Sequence, residues 1–330
     1  MNRREWLLSF GAAALAAGPA AALDYPDRPV TILNGYSPGG STDIAARLVG
    51  EGMSRQLGGK AFVVENRPGA SGTVAATWMK RQNPDGYTLL LSESSSFAIW
   101  PAMYTEGVKY DPLNDFDWVA TICISPMAFI VSPDFPARSC PEALELLGSE
   151  KSRDLNYSSS GPGSIPHIAA ELLRTRIGPT NASRHIPYRG GAPAVQSISK
   201  GETAWGVASL GSAAGMIQGG LVRALAVTSL SRFPTYPDIP TFGELGLRDV
   251  GLNISYLLHA PAGLPGGILD LLNKSSVTAL VEATTRERFL NAGMQVWDRE
   301  NTSASTKTIV ANELAWFKDV AARTGIRILG

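Results

Sequence analysis

Val30-Thr31-Ile32-Leu33-Asn34-Gly35-Tyr36-Ser37-Pro38-Gly39-Gly40-Ser41-Thr42-Asp43 joins a short β-prone run, a glycine- and serine-rich loop and the opening of a helix. Through residues 42–57 the apolar Ile44, Leu48 and Met53 recur near helical spacing. The same grammar repeats downstream, with a strand at 61–65, the loop Asn66-Arg67-Pro68-Gly69-Ala70-Ser71-Gly72, a helix at 74–81 and a strand at 87–91. This βαβαβ rhythm predicts a parallel sheet with helices on its faces. A second unit of the same style begins near Pro126, with strands at 127–131, 156–158, 184–187 and 204–208. Its helices fall at 141–147, with Ser139 as the cap, and at 167–176 and 192–200. Residues 221–228 read as a strand running back to the first unit, and the tail, 267–289 and 306–324, as helical. We therefore expect two facing α/β domains, with a ligand held between them at the C-terminal ends of their strands.

Composition narrows the function classes. A chain of 330 residues holds two domains at roughly 100–200 residues each. Its 29 basic residues balance 29 acidic ones with no basic stripe, which argues against nucleic acid as a partner. The first residues read as an export signal. Asn2-Arg3-Arg4-Glu5 is a polar head, residues 6–17 form an apolar run too short to span a bilayer, and Ala20-Ala21-Ala22 supplies the small residues a signal peptidase needs. Residues 1–22 are thus expected to be a signal peptide that sends the protein to the periplasm. Arg3-Arg4 before Trp6-Leu7 resembles a twin-arginine signal; a general secretory leader is the alternative. No later stretch is long and apolar enough for stable membrane insertion. Cys123 and Cys140 could pair in an oxidising compartment or could be two small core residues; their spacing does not decide.

Four loops carry the candidate chemistry. In Ser37-Pro38-Gly39-Gly40-Ser41-Thr42-Asp43, two glycines let backbone approach a ligand at a helix start, where free N–H groups and the helix dipole favour an anion without Arg or Lys. The plainer reading is that Ser41 or Thr42 caps the helix and Asp43 stabilises its first turn. Ser158-Ser159-Ser160-Gly161-Pro162-Gly163-Ser164-Ile165-Pro166-His167 has the same style in the second unit. Pro187-Tyr188-Arg189-Gly190-Gly191 offers an aromatic face and a countercharge, or a solvated turn. Ser92-Glu93-Ser94 follows the strand at 87–91 and sits at the same level. No motif of the serine-hydrolase elbow, P-loop, zinc-protease or dinucleotide type occurs. His167 and Glu171 have metal-ligand spacing on one helix, but only three histidines exist and no third ligand is evident, so no metal or cofactor is expected. A hydrolase would need His167 paired with Ser160 or Ser164, and no acid is placed to orient it; a hydrogen bond that orders its own loop is the better role for His167.

Segments spread over the mature chain resemble the extracytoplasmic solute receptors of tripartite tricarboxylate transporters, the Bug-type receptors. They include Tyr25-Pro26-Asp27-Arg28-Pro29-Val30, Ser37-Pro38-Gly39-Gly40-Ser41-Thr42-Asp43 with Arg47, and Val64-Glu65-Asn66-Arg67-Pro68-Gly69-Ala70-Ser71-Gly72. Further matches are Asp85-Gly86-Tyr87-Thr88-Leu89, Pro187-Tyr188-Arg189-Gly190-Gly191 and Ala260-Pro261-Ala262-Gly263. The resemblance implies a type II periplasmic-binding fold with two crossover strands that closes around its ligand. It implies domain 1 over 23–125 and 229–330, domain 2 over 126–228, and hinges near 121–126 and 228–230. It also implies that the protein is not an enzyme. The ligand would be a small organic acid held by Ser37, Pro38, Gly39, Gly40, Thr42 and Asp43 and by Ser160, Gly161, Gly163, Ser164 and His167. Ala70 and Ser71, Ser92, Glu93 and Ser94, and Tyr188, Arg189 and Gly190 would complete the site. The protein would work as a monomer and deliver its ligand to membrane transporter subunits; a sensory role is the alternative. Two departures stand out. Glu93 occupies a loop that is usually small and neutral, where it would either face solvent or repel a second carboxylate and favour an amine, and Trp205 would either pack in the core or wall the cleft.

Overall fold

The computed structural model describes residues 25–178, 182–247, 252–324 and 327–328. The leader expected at 1–22 lies outside them. The first lobe is built on β1 (Val30–Asn34), flanked in parallel by β2 (Phe62–Asn66) and β3 (Thr88–Glu93), with Val30 opposite Phe62 and Thr31 opposite Thr88. Helix α1 (Ser41–Gln56) connects β1 to β2, and α2 (Thr73–Met79) connects β2 to β3. On α1, Ala45, Leu48, Val49 and Met53 are buried, a three-to-four-residue recurrence that lays one apolar face on the sheet. Both α1 and α2 therefore start at the C-terminal edge of the sheet, and their preceding loops share that edge. Next to β3 lies β9 (Asn253–Pro261), antiparallel, and then β4 (Phe116–Val131), with the short β10 (Gln295–Val296) on the far side of β4. Helices α3 (Trp100–Met103), α8 (Gly266–Val281), α9 (Ala283–Asn291) and α10 (Ser303–Thr324) complete this lobe.

β4 belongs to both lobes. Pairing with β9 ends at Pro126, and pairing with β7 (Trp205–Ser209) and β8 (Arg223–Val227) begins at Met127 and Ala128. Beyond β7 the second sheet continues in parallel through β5 (Tyr157–Ser159) to β6 (His185–Pro187). Its helices are α4 (Cys140–Leu147), α5 (Ile165–Ile177), α6 (Gly191–Ser199) and α7 (Leu210–Gln218); Ser139 caps α4 by accepting the Glu142 N–H. The return path is tied at Thr228. Its hydroxyl accepts the Met127 N–H at 2.7 Å and donates to the Leu252 carbonyl at 2.8 Å, joining three segments where the lobes meet. Phe233, Tyr236 and Ile239, beyond β8, pack with Ala128, Ile198 and Val227 in a core of the second lobe.

Trp205 is fully buried. It stacks on Tyr157 with ring centres 4.8 Å apart and donates to the Leu155 carbonyl at 2.9 Å, so it is a core residue. The Cys123–Cys140 pairing allowed for in the sequence does not form: both thiols are free and buried. Strand β4 runs extended from Cys123 to Val131, about 27 Å at 3.3–3.4 Å per residue, and carries the chain away before Cys140 opens α4; a disulfide needs Cα atoms within about 7 Å. Burial pushes the Cys140 thiol up to about 12 and the Cys123 thiol well above its ordinary range. Denatured protein, purified without reductant, is accordingly expected to titrate two free thiols, and its melting temperature to be unmoved by dithiothreitol. A melting temperature that fell on reduction would contradict this arrangement. Among the described residues no helix is long and apolar enough to cross a membrane.

Candidate functional site

The first loop is shaped by Asp43. Its Oδ2 accepts the Gly39 N–H at 3.1 Å and the Arg47 Nε–H at 3.0 Å, and its Oδ1 accepts from Arg47 Nη2 at 3.0 Å and from Asn66 Nδ2 at 2.9 Å. Burial works to raise this carboxyl's pKa, but the bonds from Arg47, Gly39 and Asn66 outweigh it and hold it below the usual carboxylate range. Asp43 is thus turned inward as the clamp of the loop. Gly39 turns the chain at φ +81°, and Gly40, extended, is the residue before α1, with no side chain capping the helix. The first N–H groups of a helix have no carbonyl within it to bond. Here the Ser41 N–H reaches across to Ser212 Oγ at 3.0 Å, and Thr42 follows it at the same helix start.

The second loop of this lobe is strained. Ala70 (φ +43°) and Ser71 (φ +49°) are left-handed non-glycine residues, at about 1–2 kcal/mol each. The strain aims Ser71 at the other lobe, where its Oγ donates to the Pro162 carbonyl at 2.8 Å. The third loop brings Glu93, which is 2% exposed and hydrogen-bonded to the Tyr36 hydroxyl. Burial raises the Glu93 carboxyl against the lowering effect of its contacts with Tyr36 and Ser95. Its neighbours turn away: Ser94 Oγ accepts the Ser255 N–H at 3.2 Å, and Ser92 Oγ is buried with no partner among the described residues.

The second lobe answers with three helix starts. Ser164 caps α5, accepting the His167 N–H and donating to the Gly161 carbonyl at 2.7 Å. The loop is backed by a column of rings, in which His167 stacks on His185 at 4.2 Å and His185 on Tyr157 at 5.0 Å. His167 Nδ1 accepts the Gly163 N–H at 3.1 Å, and burial lowers the pKa of both histidines, that of His185 to about 4. A serine–histidine contact does exist, Ser159 Oγ to His185 Nε2 at 2.6 Å, but Ser159 is 1% exposed and also bonded to Gly161. It lies behind the loop, not in the pocket. At α6, Gly190 lets that helix start meet the first lobe: the Ser37 N–H donates to the Arg189 carbonyl at 3.1 Å, and a Cβ on Gly190 would lie 3.1 Å from Ser37 N, while Gly191 leaves room for Ser212 of α7, whose Oγ would lie 2.2 Å from a Cβ there. Ser209 caps α7 and contacts Ser41 Oγ at 2.8 Å; Tyr256 donates to the same Ser41 Oγ at 2.7 Å.

The lobes are closed on each other, leaving a pocket of about 20 Å³. It is lined by Tyr36, Gly40, Ser41, Thr42, Glu93, Ser160, Pro166, Gly191, Ser209, Ser212 and Ile254. Of the residues expected from sequence, Gly40, Thr42, Glu93 and Ser160 meet there. Ser37, Ser71 and Arg189 instead form the seam between lobes, with Pro38 and Gly39 shaping the turn beside it. Gly161, Gly163, Ser164 and His167 hold the second loop. Tyr188 is half-buried beside exposed Arg189, and Ala70 opens onto an outer groove. Sequence reasoning missed Tyr36, Pro166, Ser209, Ser212 and Ile254. The Ser209-Leu210-Gly211-Ser212 run, at the junction of β7 and α7, repeats the grammar of the other loops and could have been found by it. No lysine or arginine lines the pocket. Among the described residues no three His, Cys, Asp or Glu side chains are grouped to hold a metal.

Residues 45–326 match the family model described as the tripartite tricarboxylate transporter family receptor. Protein BugT of Bordetella pertussis is 30% identical, over 99% of this chain and 100% of its own. The periplasmic binding protein BugD superposes with a TM-score of 0.86 at 31% identity, covering 93% of this chain and all of that one. MatC of Rhodopseudomonas palustris, solved with bound malate, superposes with a TM-score of 0.83 at 29% identity, covering 90% of this chain and 99% of its own.

Proposed function

Because the chain belongs to the tripartite tricarboxylate transporter receptor family, we propose that it is an exported receptor that captures a small organic acid between its lobes and hands it to membrane transporter subunits. The observation that carries this reading is the pocket itself: the α1 start at Gly40, Ser41 and Thr42 lies against Ser160, Ser209 and Ser212 of the opposite lobe, and the Ser41 N–H, held by Ser212 Oγ while the lobes are closed, is a donor the ligand can take over. Donors without a fixed cation suit a carboxylate, whose charge such helix starts stabilise. The malate bound by MatC supports an acid of that size. A volume of about 20 Å³ holds a water and no such acid, so the lobes part to admit it. The bending points we assign are β4 at Pro126–Met127 and the Thr228 clasp. The second lobe then runs from 127 to about 242, beyond the 228 expected from sequence, because Phe233, Tyr236 and Ile239 pack in its core. Residues 1–22 serve as the export signal.

The test is thermal denaturation of the mature protein with malate, succinate, adipate and citrate. An acid at one hundred times its Kd stabilises by about 2.7 kcal/mol, a shift of several degrees. Gly40→Val is expected to erase that shift and leave the ligand-free melting temperature within a degree or two. The backbone there is extended and accepts valine, but its Cβ already lies 3.6–3.7 Å from Ala192 N, Gly191 N and Ser212 Oγ, so the branched methyls would fill the seam. A full shift in Gly40→Val, or none with any acid in the wild type, would sink the proposal.

A further inference from the structure

Glu93 is the only charged residue among those lining the pocket. Its Oε2 accepts the Ser95 N–H at 3.2 Å and its Oε1 meets the Tyr36 hydroxyl. That hydroxyl also reaches the Ser71 carbonyl at 2.9 Å. A phenol has one proton and here faces two acceptors. Both contacts are hydrogen bonds only when Glu93 is a neutral acid, donating to the Tyr36 oxygen while Tyr36 donates to Ser71. Burial of Glu93 favours the same neutral form. The Glu93 proton is then committed to Tyr36, and what remains for a ligand is oxygen lone pairs. A neutral Glu93 is therefore an acceptor toward the pocket, and an ionised one would repel a second carboxylate.

Among the described residues no positive charge faces Glu93. The ionisable groups that face Glu93 are Tyr36 beyond β1, Tyr256 on β9 and Glu313 on α10. Tyr256 donates to Ser41, and Glu313, which accepts from Ser255 Oγ at 2.6 Å, is pushed up to about 7 by burial. A buried carboxyl that lacks a protein cation and opens onto a ligand pocket is complemented by a cation from the ligand. We infer that the captured acid also carries a protonated amine, seated against Glu93, with its carboxylate on the Gly40–Thr42 helix start. Seating the ammonium ionises Glu93. The carboxylic proton leaves to solvent, Tyr36 swings its own proton from Ser71 to Glu93, and the ammonium keeps all of its protons. This rests on the receptor reading above.

The experiment is titration calorimetry at pH 7.5 with matched pairs: aspartate against succinate, glutamate against glutarate, and 4-aminobutyrate against butyrate. Each is run in phosphate and in Tris, whose ionisation enthalpies differ. In at least one pair the amine-bearing acid is expected to bind about tenfold or more tighter, as a charge-assisted hydrogen bond implies, with net proton release. Glu93→Gln is expected to abolish both the preference and the buffer dependence. The buffer comparison on the unaltered protein needs no variant, so it decides even where Glu93→Gln fails to fold. Deaminated acids binding as tightly as their partners, or amine-bearing acids binding without proton release, would overturn this inference and leave the receptor reading standing. Absence of binding by every acid in both sets would overturn the receptor reading and this inference with it.

Discussion

Gly35→Ala is expected to destabilise the protein by about 1–3 kcal/mol, the usual range for overpacking, and to weaken acid binding by about 100-fold. A Cβ on Gly35 would stand 2.6 Å from Gly72 Cα and 3.2 Å from the Gly72 carbonyl oxygen. These are backbone atoms, so no rotamer change relieves the overlap. The second loop has little freedom to yield, because Ala70 and Ser71 already sit in the left-handed region and Gly72, at φ +88°, has its own Cα hydrogen against Ser96 and Tyr36. The two loops must move apart, and Tyr36, next to Gly35, moves with the first. Its contacts with the Ser71 carbonyl and with Glu93 then misalign. Two hydrogen bonds at about 1–1.5 kcal/mol each correspond to about 100-fold in affinity. Gly215→Ala is the control: it lies inside α7 with nothing within 4 Å of a new Cβ, so it should stabilise by up to about 1 kcal/mol. Urea unfolding and calorimetry of both variants check the pair. A Gly35→Ala protein as stable and as tight-binding as the wild type would mean that the two loops are not in contact as described.

That pair of glycines also marks how far the sequence could be read. Strand, glycine-rich loop and helix were legible in succession because apolar period and turn residues are local signals. They placed β1 to β3, α1 and α2, and the two loops that frame the pocket. β4 was read only as 127–131, because Pro126 looks like a break. In the fold that proline sits at the end of the β9 ladder, where pairing passes to β7 and β8, so its missing N–H costs no ladder bond at a central position. α7 went unread because Gly211 and Gly215 lower helix propensity. Its burial of Leu210, Ala213 and Ala214 in the second core overrides that preference, and with α7 the serines at 209 and 212 were missed. Tyr256, Ser41 and Ser209 meet through contacts between residues far apart in the chain, which spacing cannot encode. Glu93 stood open between solvent and cleft for the same reason: only the packing of Tyr36 and Ser95 around it buries the carboxyl at the pocket wall.

His259→Phe is expected to stabilise the protein at pH 7.5 by about 1–3 kcal/mol, and the gain should widen by about another 3 kcal/mol at pH 4. His259, on β9, is 1% exposed, and neither ring nitrogen has a hydrogen-bond partner among the described residues. Its ring lies 4.5 Å from Trp118 and 4.7 Å from Phe116, a setting that fits phenylalanine. Removing two unsatisfied buried polar atoms accounts for the gain at neutral pH. The widening follows from proton linkage. Burial pushes the folded-state pKa of His259 down to about 3, while in the unfolded chain it is about 6.5. The stability tied to its neutral form is complete above pH 6.5 and is lost progressively as pH falls toward 3, because the unfolded chain takes up the proton first. At pH 4 that amounts to about 3 kcal/mol, at 1.36 kcal/mol per unit. Glu313 and Glu93 act in the opposite sense. Their folded pKa values are raised, Glu313 to about 7, so the folded state binds protons the unfolded one does not until the ordinary carboxylate range near 4.3. Between about pH 6.5 and 4.5 they offset part of the loss from the three histidines, so the wild-type stability should fall only gently. Below that window the offset ends and stability should fall steeply. In His259→Phe one source of proton uptake is gone, so the variant should hold its fold to lower pH. Urea unfolding of both proteins at pH 7.5 and 4 measures the gap, and a gap that stayed constant would mean that folded His259 takes up its proton in the ordinary histidine range.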